Sequence, residues 1–559
     1  MNIPDIRIND AKTPDFKNEH VNTQVRSNVF RLFIVGFCIT VSFIAVAIQL
    51  IRLASVGQNK QSIKPPKFLS EFYSRPDIVD RYGRLLATDV ALPALFADTY
   101  LITNVDKTVK RVARIFPELD TDKVRQALSD KKRRYFLLKS AVAPDVAQAI
   151  QDTDLPGLSF RSEPKRSYPN SRLAGHLLGY VDVYNYGIAG VERVLNAYEG
   201  VRRADSVTVN TAPPLRLTID MRIQYGLEQE LRAGIKKFNA EAAAGILIDV
   251  HNGEIWAAAS LPGVEPANVE ELKDWSRRDR LTNDAFELGS VFKVFTLAMV
   301  LELGIVTPKA LVDVTKPIKI DGLVISDVNP FKGRLTLGQI IMRSSNIGAS
   351  VLADAVGGRS QYEFLKQIGL TRAIDRKDVK TVAPKLPSHW GAVETATIGF
   401  GHGIAVSPLQ FTVAFVSMIN GGIAITPTLL RANGSSELPK RRLIRAETSA
   451  YLRKILRKNV LNGNGWRARV AGYRVGGKTG TADLARNGEY DGKSVIASFA
   501  AAFPMDKPRY ALLVTLFDPK AKGSKAMRSA AITAAPVAGA IIRRVAPVLG
   551  VEKRTALRG

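Results

Sequence analysis

Cysteine is almost missing from this sequence. A single cysteine, Cys38, occurs among 559 residues, so an intramolecular disulfide bond is excluded. One thiol is compatible with a location outside the cytoplasm but does not require it. The length of the chain allows two or three domains.

The N-terminal region lacks a recognisable cleavage site. No Ala-x-Ala pattern follows the apolar run at residues 32–51, and a polar tail precedes it, so a cleaved signal peptide is disfavoured. The run lies between Arg31 and Arg52 and is long enough to span a bilayer. We therefore predict a cytoplasmic tail at residues 1–31 and a single transmembrane helix at residues 32–52. Flanking positive charges are similar on both sides and leave the orientation open.

The sequence also lacks a concentrated nucleic-acid-binding motif. The formal net charge of +27 indicates attraction to polyanions in general. The lysines and arginines are spread along the chain and are not interleaved with aromatic residues. We expect no nucleic-acid partner. A membrane surface, an acidic wall polymer or a basic surface with no dedicated ligand are the simpler interpretations.

What the chain does contain is a lysine inside an apolar helix. Residues 289–303 have apolar residues on nearly every side of a helix, which predicts a buried position for Lys293. Burial disfavours a charged ammonium and lowers its pKa. Ser290 lies three residues earlier on the same face. A hydroxyl beside an uncharged amine is an activated nucleophile, so this pair is a candidate for nucleophilic catalysis.

The Ser-x-x-Lys spacing alone is common. Ser129 with Lys132 and Ser162 with Lys165 match it as well, but the first pair lies in a charged run and the second includes Pro164. A lysine that reaches solvent from an apolar helix was the competing interpretation for Lys293.

Two further motifs favour catalysis. Ser344-Ser345-Asn346 interrupts two apolar helical stretches, and Lys478-Thr479-Gly480-Thr481 follows a short extended segment. Ser-x-x-Lys, Ser-x-Asn and Lys-Thr-Gly in this order are the signature of penicillin-binding proteins and serine β-lactamases. Residues 472–479 also fit a phosphate-binding loop, but strand-like segments rather than a helix follow them, which disfavours nucleotide binding.

Composition and turn signals divide the rest of the chain and predict a multidomain α+β protein. Residues 60–214 are predicted to form an elongated, β-rich pedestal module, and residues 215–550 a catalytic domain with a basic tail at residues 551–559. In that domain, strands flanking Asn252-Gly253 and two or three strands within residues 473–517 predict one antiparallel sheet. Helices near residues 223–238 and 529–549 and a proline-started helix at Ser407 are predicted to flank it.

The chain resembles the class B penicillin-binding proteins, the bacterial peptidoglycan transpeptidases, and within them the septal, division-specific FtsI type. The resemblance covers nearly everything after the apolar run. Pro76 and Leu288 depart from the family pattern, which usually has glycine and proline at these positions. The similar segments are residues 75–87, 166–169, 187–192, 217–220 and 399–404.

The resemblance implies a role for each motif residue. Ser290 would attack the penultimate D-alanine of a stem peptide and Lys293 would take its proton. Backbone N–H groups of Ser290 and Thr481 would form the oxyanion hole, and β-lactams would acylate the same serine. The implied catalytic residues are Ser290, Lys293, Ser344, Asn346 and Lys478, and the implied substrate-binding residues are Ser345, Thr479, Gly480 and Thr481. The family uses no cofactor and no metal.

The resemblance also implies a location and partners. The catalytic domain would lie outside the inner membrane with the N-terminus in the cytoplasm. A polytopic membrane glycosyltransferase and other division proteins would be partners, with Gly36 and Thr40 as a small-residue packing face. An elongation-type transpeptidase, a D,D-carboxypeptidase, a β-lactam sensor and a structural division protein remain alternatives. A β-lactamase is disfavoured because Ser345 stands where the class A pattern has aspartate.

Overall fold

The computed structural model describes residues 36–49 and 73–554, except residues 133, 153–154, 199, 204–209, 211, 432–440, 487–488 and 521–524. The chain divides into two units, residues 1–69 and 70–559. In the first unit, residues 36–49 form helix α1, whose side chains are exposed. Within the described ranges, no helix is both long enough and apolar enough to cross a membrane. The residues that the structure describes do not include the predicted tail at residues 1–31, either end of the predicted span, or residues 555–559.

Residues 73–216 contain short helices and two small sheets. The strands are β1 Tyr73–Ser74, β2 Ile78–Val79, β3 Leu85–Asp98, β4 Tyr135–Lys139, β5 Leu158–Ser167, β6 Arg202–Arg203 and β7 Leu215–Arg216. Strand β2 pairs with β3 and β7, and β3 also pairs with β4 and β5, whereas β1 pairs with β6. The helices are α2 Val105–Ile115, α3 Thr121–Ser129, α4 Pro144–Gln151, α5 Gly175–Leu178 and α6 Gly190–Leu195.

A buried charge cluster holds this region together. Arg75 Nε donates to Glu192 Oε2 at 2.9 Å, and Arg166 Nε donates to Glu192 Oε1 at 2.7 Å. Arg166 also donates to Asp89 at 3.1 Å. The Arg75, Arg166 and Glu192 side chains are fully buried, so each charge depends on its partners for compensation. Arg75, Arg166 and Glu192 each lie in one of the segments that carry the resemblance. These three segments therefore have a structural role in this region.

The second half of the chain is built around one antiparallel sheet. Its strand order is β14-β15-β16-β8-β9, so strands from both ends of the region lie side by side, as predicted. The strands are β8 Ala242–Asp249, β9 Ile255–Leu261, β14 Gly476–Arg486, β15 Glu489–Phe503 and β16 Tyr510–Phe517, and the short hairpin strands are β10 Leu311–Asp313, β11 Ile318–Ile320, β12 Leu323–Ile325 and β13 Arg334–Thr336.

Helices cover both faces of this sheet. Leu247 of β8 packs in one core with residues of α7 and α16, and its neighbours Ile246 and Ile248 pack in the other core with α9 and α14. This alternation follows the two-residue period of a strand. The helices are α7 Met221–Phe238, α8 Val269–Lys273, α9 Lys293–Glu302, α10 Leu337–Arg343, α11 Asn346–Val356, α12 Gly358–Gln367, α13 Ala392–Ile398, α14 Pro408–Ile419, α15 Ala446–Asn462 and α16 Ala534–Val545.

Local signals placed several of these helices correctly. Helix α7 begins at the N-cap Asp220, buries Ile223, Leu227 and Leu231 at four-residue spacing, and ends at the left-handed Asn239. Helix α14 starts with Pro408 after the N-cap Ser407, which confirms the predicted start. Only half of the predicted capping box forms, because the Gln410 side chain donates to carbonyls of Gly369 and Arg372 instead.

The two halves of this unit meet through a short pair of parallel strands. Leu215–Arg216, predicted to open the catalytic domain, form β7 and pair in parallel with Ile78–Val79 of the first half. Arg81 reaches across the junction, donates to Glu254 Oε2 at 2.6 Å and lies 3.2 Å from the centre of the Trp256 ring. The two halves are therefore joined by strand pairing as well as by side chains.

One edge of the large sheet is closed by a side-chain amide. Gln224 of α7 is fully buried, and it accepts from Ala258 N at 2.9 Å and donates to Ala258 O at 2.8 Å. It thereby occupies the outward backbone groups of the edge strand β9. Gln224 Nε2 also donates to Glu228 Oε1 at 3.0 Å, which accepts from Ala174 N of the first half.

Replacing Gln224 should therefore destabilise the fold. In Gln224→Ala, the N–H and C=O of Ala258 lose their partners, and each unsatisfied buried group costs about 1–3 kcal/mol. We expect the free energy of unfolding, measured by urea titration, to fall by about 2 kcal/mol or more. The exposed Gln148, which bonds only to Asp152, provides the control, and Gln148→Ala should change stability by less than about 0.5 kcal/mol. Equal effects of the two variants would contradict this assignment.

Candidate functional site

Ser290 lies on a tight turn directly before helix α9. Gly289–Phe292 form a 3-10 turn, and Lys293 begins the α-helix, so Ser290 and Lys293 share one face. Gly289 has φ +61°, and a Cβ there would lie 2.6 Å from Thr481 O. Only glycine allows this approach of β14 to the turn. Leu288 has φ −97°, beyond the usual range of proline, which accounts for the departure from the family pattern.

Lys293 is the centre of the site. Its side chain is fully buried, as the apolar helix predicted. Nζ lies 2.8 Å from Ser290 Oγ, 2.8 Å from Ser344 O and 2.7 Å from Asn346 Oδ1, with Ser344 Oγ farther away at 3.4 Å. An uncharged amine can donate to the Ser344 carbonyl and the Asn346 amide oxygen and accept from the Ser290 hydroxyl, and an ammonium could donate to all three oxygen atoms. Complete burial is what favours the neutral form.

The Ser344 turn brings the second motif to this amine. Ser344 follows α10 with φ +59° in the left-handed region, where residues other than glycine are strained. Helix α11 begins immediately afterwards at Asn346. This geometry presents the carbonyl and hydroxyl of Ser344 and the Asn346 side chain to Lys293, which is the turn between helices that the sequence predicted.

Ser345 caps the helix that follows the turn. Its side chain is 1 % exposed, accepts from Gly348 N at 2.9 Å as the N-cap of α11, and donates to Asp327 Oδ2 at 2.7 Å. These two bonds hold its hydroxyl in the helix cap and position the turn. The substrate contact of Ser345 stays a prediction.

Asp327 is a residue of the site that sequence reasoning missed. Its carboxylate accepts from the Ser345 hydroxyl and, through Oδ1, from the backbone N–H groups of Asn346 at 2.5 Å and Ile347 at 2.9 Å. A carboxylate at a helix N-terminus is stabilised by these donors and by the helix dipole. Asp327 lies in the loop between strands β12 and β13, whereas the helix that it caps starts at Asn346. No local sequence pattern therefore singled it out.

The third motif lies on the edge strand β14. Lys478 is fully buried, and its Nζ donates to Ser344 Oγ at 2.9 Å and to Thr479 O at 2.9 Å. Thr479 is buried, whereas Thr481 is exposed and its hydroxyl accepts from Ala530 N at 3.0 Å. A Cβ at Gly480 would lie 2.2 Å from Leu288 O, so glycine is required for the strand to pass the nucleophile turn.

Burial lowers the pKa of both lysines, and the neighbouring Lys478 adds to this effect at Lys293. Complete burial, followed by the neighbouring Lys478, holds the pKa of Lys293 well below its ordinary value, and Asp327 opposes this shift. Burial lowers the pKa of Lys478 to about 7. Ser344 Oγ lies between the two amines and connects them. An amine in this environment is able to accept a proton near neutral pH.

The loop at residues 399–404 packs behind the nucleophile. A Cβ at Gly401 would lie 2.1 Å from Gly289 O, and the Phe400 ring centre lies 6.0 Å from Lys293 Nζ. His402 Nδ1 lies 2.8 Å from Glu287 Oε2, and that carboxylate raises the pKa of His402. This segment, one of those that carry the resemblance, therefore covers one side of Lys293.

Two other kinds of site are not found in this arrangement. The chain continues from Lys478 along the same strand to Arg486, so the helix that a phosphate-binding loop requires is not at this position. Across the described ranges, no group of three or more histidine, cysteine, aspartate or glutamate side chains is arranged to hold a metal ion.

Comparison with protein families matches this region directly. The model of the penicillin-binding protein transpeptidase domain covers residues 243–542, more than half of the chain, and includes all three motifs. The chain belongs to this penicillin-binding transpeptidase family. A second family model, the penicillin-binding protein dimerisation domain, matches residues 73–205 of this chain.

Individual relatives agree with this family assignment. The chain is 34 % identical over 495 residues to the probable peptidoglycan D,D-transpeptidase FtsI of Caulobacter vibrioides, covering 87 % of this chain and 83 % of that one. It is 30 % identical over 505 residues to peptidoglycan D,D-transpeptidase FtsI of Escherichia coli K12, covering 86 % and 84 %. The apo transpeptidase domain of penicillin-binding protein 3 from Burkholderia pseudomallei is 32 % identical with a TM-score of 0.54, covering 61 % and 98 %.

The buried lysines of this penicillin-binding transpeptidase should make its stability depend on pH. Lys478 loses its proton near pH 7 in the folded state but at about 10.4 when unfolded, so the unfolded chain binds more protons between these values. The free energy of unfolding should therefore rise with pH above 7, by up to about 1.4 kcal/mol per pH unit from this one lysine.

Urea titrations between pH 7 and 9 test this dependence. Lys478→Met should have a shallower slope of stability against pH than the parent chain, because it carries no proton at this position. Lys458→Met, at an exposed position on α15, should retain the parent slope. An unchanged slope in Lys478→Met would mean that the lysine keeps its proton when buried.

Proposed function

We propose that this chain is a peptidoglycan D,D-transpeptidase of the septal, FtsI type, which cross-links stem peptides through an acyl-enzyme on Ser290. The observation that carries the proposal is the amine of Lys293, fully buried and 2.8 Å from Ser290 Oγ, whose burial favours the neutral form. Similarity to the FtsI peptidoglycan D,D-transpeptidases supports the reaction and the septal role.

The acylation step follows from this geometry. Ser290 Oγ attacks the carbonyl carbon of the penultimate D-alanine while its proton passes to Lys293 Nζ. The new C–O bond forms an ester, the C–N bond to the terminal D-alanine breaks, and the leaving nitrogen takes up a proton. Positioned proton transfer of this kind accelerates a reaction by about 100- to 10,000-fold.

Ser344 provides a route for the returning proton. Its hydroxyl lies 3.4 Å from Lys293 Nζ and accepts from Lys478 Nζ at 2.9 Å. Ser344 gives its proton to the leaving amine and receives the one that Lys293 took, so both side chains end as they began, while Lys478 holds the Ser344 hydroxyl in place by its hydrogen bond. Asn346 holds Lys293 through Oδ1 and is oriented by the bond from its Nδ2 to Ser326 O at 3.2 Å.

The edge strand β14 is the proposed binding surface for the stem peptide. Within the described sheet it pairs with β15 on one side and with no strand on the other, where Asn459 Nδ2 donates to Gly477 O at 2.8 Å, so an added strand would pair beyond that point, toward Thr481. The cationic form of Lys478 and the Thr479 hydroxyl would meet the substrate carboxylate, with Gly480 permitting close approach. Backbone N–H groups of Ser290 and Thr481 would stabilise the oxyanion, and loss of one such donor costs about 100- to 1,000-fold in rate.

The fate of the acyl-enzyme separates this function from related ones. A transpeptidase passes the acyl group to an amine of a neighbouring stem peptide, whereas a β-lactamase or carboxypeptidase passes it to water. Asp327, the carboxylate beside the Ser-x-Asn turn, accepts from three donors and caps α11, so it is not poised to activate a water molecule. This favours the amine acceptor over rapid hydrolysis.

The proposed location and partners follow from the family. The catalytic domain would lie outside the inner membrane, anchored by a single span at residues 32–52. The chain would require a polytopic glycosyltransferase to supply glycan strands, together with other division proteins. β-Lactams, which resemble the D-Ala-D-Ala end, would act as covalent inhibitors. The domain boundaries at residues 60–214 and 215–550 belong to the same proposal.

Labelling with a fluorescent penicillin tests the nucleophile. Ser290→Ala should abolish covalent labelling, because no other hydroxyl lies in the same position beside Lys293. The matched control is Ser129→Ala, since Ser129 and Lys132 have the same spacing on an exposed part of the chain. Labelling is read after denaturing electrophoresis. Undiminished labelling of Ser290→Ala would refute the proposed acyl-enzyme.

A thioester analogue of the stem peptide tests the acceptor. With a D-amino acid present, the chain should form the exchanged peptide product faster than the free acid, as separated by chromatography. Lys293→Met should reduce both products by about 100-fold or more, because the serine loses its base. Free acid as the sole product would indicate a carboxypeptidase instead.

A further inference from the structure

A second concave site lies at the junction of the two matched domains. It is a cavity of about 410 Å³, lined on one side by residues between Gly175 and Val194 and on the other by residues between Ile246 and Asn283 and between Lys377 and Lys380. Its lining contains none of the motif residues of the Ser290 site. Cavities of this size between domains commonly bind small molecules.

The floor of this junction cavity is apolar. Ile246, Ile255, Leu281 and Leu409 line it, and each is at most 3 % exposed. A ligand that fills the cavity therefore has to bring an apolar body, because a polar group placed here would lose its hydrogen bonds to water. Trp275 stands at the rim with 73 % of its surface exposed, and the Arg278 guanidinium lies 5.0 Å from the centre of its ring.

The rim of the cavity carries two cations without carboxylate partners. Arg193 comes from the first domain and Lys377 from the second, both are exposed, and neither forms an ion pair with a described residue. The other cationic side chains of the lining are compensated. Their ion pairs are Lys273–Glu270, Arg277–Asp274, Arg278–Asp284 and Lys380–Asp375.

The carboxylates of the lining are also occupied. Asp378 accepts from the Thr428 hydroxyl at 2.7 Å and from Leu429 N at 3.0 Å. Asp279 accepts from the Thr282 hydroxyl at 2.5 Å and from Leu281 N at 2.9 Å. Asp279 has no ion pair with a described residue, so the two cations Arg193 and Lys377 face one carboxylate and the cavity keeps an excess positive charge.

We propose that the junction cavity binds a small amphiphilic anion, a carboxylate or phosphate on a compact apolar body. The apolar body occupies the floor, and the anion lies at the rim between Arg193 and Lys377. Because one cation belongs to each domain, the bound anion bridges the two domains. The wall at residues 281–283 leads into the segment that carries Ser290, so the ligand contacts that segment at its start.

Titration calorimetry on the full-length chain tests this proposal with two probes, 4-phenylbutyrate and phenyl phosphate. Each carries an apolar ring and one anionic group, and their relative affinity distinguishes the carboxylate from the phosphate. We expect one-to-one binding of at least one of them. The amine 4-phenylbutylamine should bind at least about tenfold more weakly, and inorganic phosphate without an apolar body should show the same loss. Equal binding of the amine would overturn the proposed charge preference.

Variants localise the site. Charge reversal in Arg193→Glu with Lys377→Glu should weaken the better probe by about tenfold or more. Reversal of two exposed lysines on α15, Lys454→Glu with Lys458→Glu, changes the net charge equally and should leave affinity within about twofold. Equal losses in both double variants would show non-specific attraction to a basic chain and overturn the proposal.

A third variant tests the apolar part of the junction cavity without changing the charge of the chain. Ala189 is half-buried at the cavity mouth, so Ala189→Leu should fill space there and weaken the probe by about tenfold while leaving the core intact. Penicillin labelling of Ser290 serves as the control for folding in every variant. Full binding by Ala189→Leu, with normal labelling, would place the probe elsewhere and contradict the assignment.

Discussion

The structure depends on the removal of one amine from water. Lys293 has no contact with solvent, and its Nζ meets Ser290, Ser344 and Asn346 at hydrogen-bond distance. A charged ammonium in this place would lose its hydration, whereas the neutral form keeps the same hydrogen-bond partners without that cost. The carboxylate that lies nearby, Asp327, is bound to the cap of α11, so it opposes the loss of the proton without preventing it.

Bringing three distant segments to this amine requires backbone contacts that side chains would block. Gly289, Gly401 and Gly480 are the positions where the nucleophile turn, the loop behind it and the edge strand meet at less than the distance that a Cβ permits. The site therefore depends on close main-chain packing, and the side-chain hydrogen bonds form within that framework. Substitution at any of the three would separate the motifs even with all reacting groups retained.

Much of this architecture follows from local patterns. The apolar surroundings of Lys293, the turn at Ser344 and the strand at Lys478 were each visible in the sequence, and the sheet composed from both ends of the catalytic region agrees with the strand signals around Asn252. These features depend on periodicity and turn chemistry, which act over a few residues. The family signature then joined the three motifs into one hypothesis.

Other features depend on contacts between distant residues and had no local signal. Asp327 caps a helix that starts about twenty residues later, and Ser345 gives its hydroxyl to that cap. Gln224 looked like an ordinary polar position of an amphipathic helix but lies buried against a strand edge. The pairing of Leu215–Arg216 with β2 likewise appears only when both segments are in place.

The amide of Gln224 has a consequence for how the molecule meets other chains. Because Gln224 holds the outward N–H and C=O of Ala258, an extended segment of a foreign polypeptide cannot pair continuously along β9. One amide in the middle of a border strand thus protects the sheet against edge-to-edge association at that border.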